Sequence, residues 1–286
     1  MDAIHIVLTF DENFWAPAYA TMRSVCLFTK RRKDLVFHLC HRRLPEDQIA
    51  DLRKIESEFG ATLVWYDLES NELFRDIEQR MPYNKRLTNI VYARLLIDRL
   101  VDPAISRLLY LDCDMMVRTA VEDLYQIDMQ GFPVAAVRDT LGAFIVGGRD
   151  LIHNRDIFDV ADPYFNAGMI LIDVEQWRAV GILDRLEAYF ADGTMSRIHY
   201  DQDFLNLVFR DRWLHLDPRW NTIDARHPHE GIDPAILHYT GPFKPWHVVS
   251  NVAFRRIYRH VMTNELFYRF MRHRWKRWWQ KKLRLR

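Results

Sequence analysis

Short apolar runs alternate with longer stretches of helically spaced apolar residues along the first third of the chain. That alternation is the pattern of βαβ units and a mostly parallel sheet. Residues 4–9 form a predicted strand, 17–28 a helix and 35–40 a second strand. Residues 45–59 predict a helix with Pro45 near its start and Gly60 just past its end, the usual asymmetry of helix termini. A third strand is expected over 62–66. Between 88 and 100, Ile90, Val91, Leu95, Leu96 and Leu100 form an apolar stripe before the Asp102-Pro103 stop, which predicts an amphipathic helix carrying Arg94. Residues 108–111 are an apolar run leading straight into Asp112 and Asp114.

Farther along the pattern loosens, with strands expected at 133–137, 168–172 and 236–239 and helices near 174–190 and 202–210. Neither a Gly/Ser-rich linker nor a repeat interrupts the chain, so one α/β domain is expected over 1–250, followed by an extension over 251–286. In the extension Phe254, Ile257, Tyr258, Val261 and Met262 fall at helical spacing, and Phe267, Phe270, Met271, Trp275, Trp278 and Trp279 continue an apolar, aromatic face.

Composition changes this picture mainly at that extension. The 286 residues are 49% hydrophobic and 28% charged, which is ordinary for a globular protein, and the net charge of +1 lacks the basic balance of a nucleic-acid binder. Residues 255–286, however, hold a dozen Lys and Arg against the single acid Glu265. Cations interleaved with Trp are the composition of a helix lying in a bilayer interface, where anionic lipid attracts each cation by about 1 kcal/mol. A helix packed on the main domain with a solvated basic face, or one that binds nucleic acid, has the same composition; the Trp residues favour the headgroup region. Cys26, Cys40 and Cys113 are odd in number and widely spaced, as expected of reduced thiols in a cytosolic protein. The start of the chain lacks the basic, then apolar, character of a signal peptide, and no window offers about 18 uninterrupted apolar residues. A soluble or membrane-peripheral protein is the expectation.

Candidate chemistry gathers at two places. Asp112 and Asp114 stand two residues apart at the carboxyl end of a predicted strand, so an extended backbone turns both side chains the same way. Ligands of open α/β sheets lie at such strand ends, and two carboxylates suit a hard divalent cation. The same spacing also occurs in solvated turns and helix caps. The second place is His238 to Trp246, again after a strand: imidazole with carboxylates suits Mn²⁺, Gly241 allows close backbone approach, and Lys244 suits a phosphate oxygen. Taken singly, His238 and Lys244 also fit a Gly/Pro-rich turn with one satisfied imidazole and one solvated cation. Together the four residues are what a metal-bound diphosphate requires.

Leu-Asp-Cys-Asp-Met-Met-Val at 111–117, Phe165-Asn166-Ala167-Gly168, Asp201-Gln202-Asp203 with Asn206, and the segment 238–246 occur in the order found in glycosyltransferase family 8. From Ile4 to about Trp246 the chain resembles bacterial lipopolysaccharide α-galactosyltransferases and α-glucosyltransferases. The resemblance implies a GT-A fold, a UDP-sugar donor, Mn²⁺ or Mg²⁺, and retention of anomeric configuration. It matches Asp112, Asp114 and His238 to metal ligands, Thr9, Asp11 and Asn13 to the uridine segment, and Gly241 and Lys244 to pyrophosphate contacts. Arg94, Asp139, Asn166, Asp201 and Gln202 match positions around the donor sugar. The metal and Lys244 would then stabilise charge on the departing diphosphate, by several kcal/mol. Retention could run through a covalent intermediate or by same-face attack; the amide of Gln202 is a poor nucleophile, which favours the latter, with Gln202 stabilising the sugar's developing charge and Asp139 and Asp201 bonding its hydroxyls. The alternatives are a tight backbone approach for Asn166 to Gly168, an exposed helix position for Arg94, and a helix cap for Asp201, which is compatible with a functional role there. Trp213, Trp220 and Trp246 are expected in the core or at its rim. The implied partners are a UDP-hexose, a glycan or glycolipid acceptor, and an anionic membrane surface on the cytoplasmic side. A non-catalytic surface or nucleic-acid binding protein is the alternative. A nucleotidyltransferase fits less well, since 9–17 contains no Gly to build a phosphate loop.

Overall fold

A computed structural model describes residues 2–81, 89–139, 156–159, 162–198 and 200–284. Thr88, the first residue of an expected helix, and residues 285–286 lie outside the described residues.

The first third folds as its periodicity dictates. Strand β1 (Ile4–Asp11) leads to helix α1 (Trp15–Phe28), β2 (Leu35–Arg42), α2 (Glu46–Phe59) and β3 (Thr62–Asp67). Helix α2 ends at Gly60, whose left-handed φ of 70° lets its N–H reach Glu56 O at 2.9 Å. A helix not foreseen from the pattern, α3 (Glu72–Arg80), is capped by the Asn71 side chain accepting from Phe74 N at 2.8 Å. The amphipathic segment is a correction. Asn89–Leu96 is a 3₁₀ helix, and only α4 (Ile97–Leu100) is α-helical. Over eight residues the apolar spacing cannot separate a period of 3.0 from one of 3.6.

The chain then runs through β4 (Arg107–Leu111), β5 (Met115–Val117), α5 (Glu122–Tyr125), β6 (Val134–Arg138) and β7 (Phe165–Asp173). The helix expected over 174–190 is broken into α6 (Val174–Val180) and α7 (Ile182–Ala191), because Gly181 sits at φ 69° and ends the first. Helix α8 (Tyr200–Val208), β8 (Trp213–His215), β9 (Thr222–Ile223), β10 (Ile236–His238), α9 (Arg255–Met262) and α10 (Asn264–Arg284) complete the order.

Among the described residues, seven strands form one sheet in the order β3-β2-β1-β4-β7-β6-β8, and β5-β10-β9 form a small second one. The first four neighbours are parallel, whereas β7 runs antiparallel to β4 and to β6. Between β1 and β4 the strand order reverses direction, which opens a crevice at the carboxyl ends of both strands. Alternation along the strands feeds two cores. Ile6 and Leu8 of β1 and Leu109 and Leu111 of β4 face α1 and α2, while Val7, Leu108 and Tyr110 face the 3₁₀ segment and α8.

The first core continues past residue 250. Tyr258, Val261, Met262, Leu266 and Phe270 are buried in it. Arg269 binds Asp51 at 2.6 Å and Asp47 at 3.0 Å, and the Phe270 ring meets Trp15 edge-on at 5.1 Å. Beyond this anchor the helix leaves the body: Trp275 is 69% exposed, Trp278 55% and Trp279 51%. No described helix is long and apolar enough to cross a membrane. Phe270→Ala is therefore expected to destabilise the protein by about 3–5 kcal/mol, whereas Trp279→Ala should stay within about 0.5 kcal/mol; urea unfolding of both variants checks the contrast.

Candidate active site

The metal-type cluster assembles where the two sheets meet. Strand β4 ends at Leu111, and Asp112 to Asp114 form a turn into β5 instead of the extended strand end expected from the sequence. The turn still aims both carboxylates one way. Antiparallel pairing of β10 with β5 sets His238 opposite Met115, and Tyr239 N donates to Asp114 O at 3.0 Å, so the imidazole arrives beside the turn. His238 Nε2 lies 3.2 Å from Asp114 Oδ1 and 3.7 Å from Asp112 Oδ2. Among the described residues these three form a His/Asp group whose ligand atoms all lie within 4.8 Å of one another. Asp112 keeps 29% of its side chain exposed against 4% for His238, so the cluster opens to solvent on the Asp112 side.

Two cations hold the carboxylates in place. Lys244 Nζ donates to Asp114 Oδ2 at 2.7 Å and also to Tyr239 O. Burial opposes ionisation of Asp114, but Lys244 and then His238 outweigh it and keep its carboxyl well below the usual range. Arg94 is not an exposed helix residue: it is 4% exposed. Its Nη2 donates to Asp112 Oδ1 at 2.6 Å and to the Tyr110 hydroxyl at 2.9 Å. Its Nη1 lies 3.0 Å from Asp201 Oδ2, a charge contact without hydrogen-bond alignment. Burial raises the Asp201 pKa, Arg94 opposes that, and Asp112 adds to it.

A second polar group adjoins the first. Gln202 Oε1 accepts from Ala167 N at 3.0 Å, and Gln202 Nε2 donates to Asp139 Oδ2 at 3.2 Å. Asn166 Nδ2 donates to the same Asp139 oxygen at 3.0 Å. Asn206 pins α8 to β7 through both the N–H and the C=O of Phe165. Gly168 explains why this strand can lie so close: a Cβ there would stand 2.2 Å from His238 Cε1 and 2.8 Å from Asp112 Oδ2. Thus Asp112, Asp114, His238, Lys244, Arg94, Asp201, Asp139, Asn166 and Gln202 share one cleft.

Other sequence candidates lie at its margins. Thr9 Oγ1 bonds the Tyr110 hydroxyl at 2.9 Å. Asp11 Oδ1 accepts from Asn13 N at 2.8 Å in the turn after β1, so these two are bonded to each other. Gly241 packs on Asp224, whose Oδ1 would lie 2.8 Å from an added Cβ. Trp213, Trp220 and Trp246 are buried. Two functional contacts escaped the sequence reading. Tyr110 donates to Asp112 Oδ1 at 2.9 Å, and strand alternation from Asp112 could have pointed to it. Asn221, 1% exposed, bonds His238 Nδ1 at 3.0 Å and had no sequence signal.

Two carboxylate oxygens and an imidazole nitrogen converging on one point fit a divalent cation with oxygen and nitrogen preference, such as Mn²⁺ or Mg²⁺. The cation would be held by Asp112, Asp114 and His238. The sequence pattern of "Glycosyl transferase family 8" matches residues 5–250. The chain belongs to this family. It is 26% identical over 281 residues to General stress protein A of Bacillus subtilis, covering 92% of this chain and 94% of that protein. It is also 26% identical to the Lipopolysaccharide 1,3-galactosyltransferase of Salmonella typhimurium, over 86% of this chain and 74% of the relative. Against longer glycosyltransferases of Streptococcus pneumoniae it spans 34% of one and 61% of another. The solved structure of the galactosyltransferase LgtC, in complex with donor and acceptor sugar analogs, superposes with a TM-score of 0.73 at 23% identity, covering 91% of this chain and 95% of that one. The fold of this family-8 member is GT-A, as expected.

Because the space at Gly168 is already filled by His238 and Asp112, Gly168→Ala is expected to displace the imidazole. Mn²⁺ titration should show affinity weakened by about tenfold or more, with circular dichroism unchanged.

Proposed function

We propose that this glycosyltransferase moves a hexose, galactose or glucose, from a UDP-sugar to a saccharide acceptor with retention of configuration. The observation that carries the reading is the convergence of Asp112, Asp114 and His238 beside Lys244 at the crevice between β1 and β4. When bound, Mn²⁺ or Mg²⁺ supplies Lewis-acid stabilisation of the departing diphosphate. Lys244 exchanges its bond to Asp114 for a phosphate oxygen, and Gly241, packed on Asp224, brings its backbone to the diphosphate beside it. Thr9, Asp11 and Asn13 receive the uridine. Arg94, Asp139, Asn166, Asp201 and Gln202 hold the sugar.

The environment of the carboxylates supports same-face attack. Asp201 is committed to Arg94 and Asp139 accepts from two amides, so each is placed to orient hydroxyls, not to attack carbon. Gln202 presents a neutral amide whose oxygen is held by the Ala167 N–H, and it stabilises the positive charge that develops on the ring.

The acceptor is lipopolysaccharide or another lipid-linked glycan, and the protein works as a peripheral protein on the cytoplasmic face of the membrane. Support comes from α10, where Trp275, Trp278 and Trp279 with Val248 and Met271 line an open apolar groove. Among the described residues of that helix Glu265 is the sole acid, and Lys282 lies 4.7 Å over the Trp278 ring. Such a surface suits anionic headgroups over acyl chains.

A screen of UDP-hexoses with Mn²⁺ should show UDP release from at least one donor, abolished by chelation and reduced by about 100-fold or more in Asp112→Asn. Absence of turnover with every donor overturns the reading. For the membrane part, sedimentation with vesicles containing anionic lipid should carry the protein down, and neutral vesicles should not. Trp275→Ala with Trp278→Ala should reduce the bound fraction without reducing UDP release in solution.

A further inference from the structure

The geometry points to Asn221 as a positioning residue that sets the tautomer of His238 and joins the metal half of the cleft to the sugar half. It rests on the metal reading above. Asn221 stands 55 residues from Asn166 and 17 from His238 in the chain, yet its amide engages both, and it is 1% exposed.

The direction of every bond follows from one backbone group. The N–H of Gly168 can only donate, and it meets Asn166 Oδ1 at 3.0 Å. That contact orients the Asn166 amide, and its Nδ2 accordingly faces an acceptor, Asp139 Oδ2, at 3.0 Å. Asn166 Oδ1 accepts a second bond, from Asn221 Nδ2, at 2.9 Å. The remaining edge of Asn221, its Oδ1, faces His238 Nδ1 at 3.0 Å. An amide oxygen only accepts, so Nδ1 carries the proton. In the neutral ring Nε2 then keeps its lone pair, aimed at the space shared with Asp112 Oδ2 and Asp114 Oδ1. The tautomer that can ligate a metal through Nε2 is thus selected from the backbone of β7 through two amides.

Each edge of Asn221 has a separate task, which makes the inference testable by splitting them. Asn221→Leu removes both edges in a similar volume. Asn221→Asp keeps an acceptor for Nδ1 and loses the donor to Asn166 Oδ1, so two oxygens confront each other there. Mn²⁺ binding without donor, read from the free-Mn²⁺ electron paramagnetic resonance signal, should weaken by about 10- to 100-fold in Asn221→Leu. In Asn221→Asp it should stay within about threefold of wild type, while kcat/KM for UDP-sugar hydrolysis falls by about tenfold or more through the displaced Asn166. Thermal unfolding identifies the folded variants, and Asn221→Asp carries the test if Asn221→Leu does not fold. Wild-type Mn²⁺ affinity in folded Asn221→Leu, or in Asn221→Asp a loss of metal as large as that expected of Asn221→Leu, overturns the inference alone. A wild type that takes up no Mn²⁺ overturns the metal reading and the inference with it.

Discussion

Carboxylates that face one another across a few ångström repel unless cations are fixed beside them, and the cleft of this protein is built around that constraint. Asp112, Asp114 and Asp201 converge in front of β4 and β7. Arg94 lies between Asp112 and Asp201, and Lys244 closes on Asp114. Neither cation comes from the β4–β5 turn or from α8, the elements that carry the acids. Arg94 rides on the 3₁₀ segment and Lys244 on the loop after β10, so the site exists only when both sheets and the segment under them have assembled.

The polar groups that remain are satisfied by one another. Gln202, Asn166 and Asn221 run from Asp139 and the backbone of β7 to His238, and each amide in the chain has partners on both edges. A fully paired buried network is stiff, because any rotation leaves a buried group unpaired. Gly168 belongs to the same design: its missing side chain is the space that His238 and Asp112 occupy.

The extension at the end of the chain is part of this architecture. Trp246 meets Phe14 at 6.0 Å, Tyr258 at 5.8 Å and Phe270 at 6.1 Å, so the loops after β1 and β10 rest on α9 and α10. Arg277 pairs with Glu12 in the turn after β1, and Arg274 approaches His247 in the loop after β10 at 3.3 Å. The helix whose exposed end bears Trp and Lys therefore also buttresses the loops proposed to hold the donor.

Much of this was determined by the sequence alone. Periodicity in the first third specified three strands and two helices, since strand and helix spacing differ most clearly in long, uninterrupted patterns. The ordered motifs around Asp112, Asn166, Asp201 and His238 specified the family and named most of the side chains that the fold brings together, Tyr110 and Asn221 excepted. What only the tertiary structure decided has a common physical cause: it depends on pairs distant in the chain. In the small sheet that seats His238 beside Asp114, β10 was legible as a strand, but its partners β5 and β9 are too short to carry a pattern, and only the fold pairs them. Burial of Arg94 depends on acids 18 and 107 positions away, and a local stripe cannot reveal them. Asn221 carries no motif, and its role arises from two contacts made across the fold. In the extension, composition announced a basic aromatic helix, but Asp51 and Trp15 in the folded body determine which half is anchored and which half is left exposed.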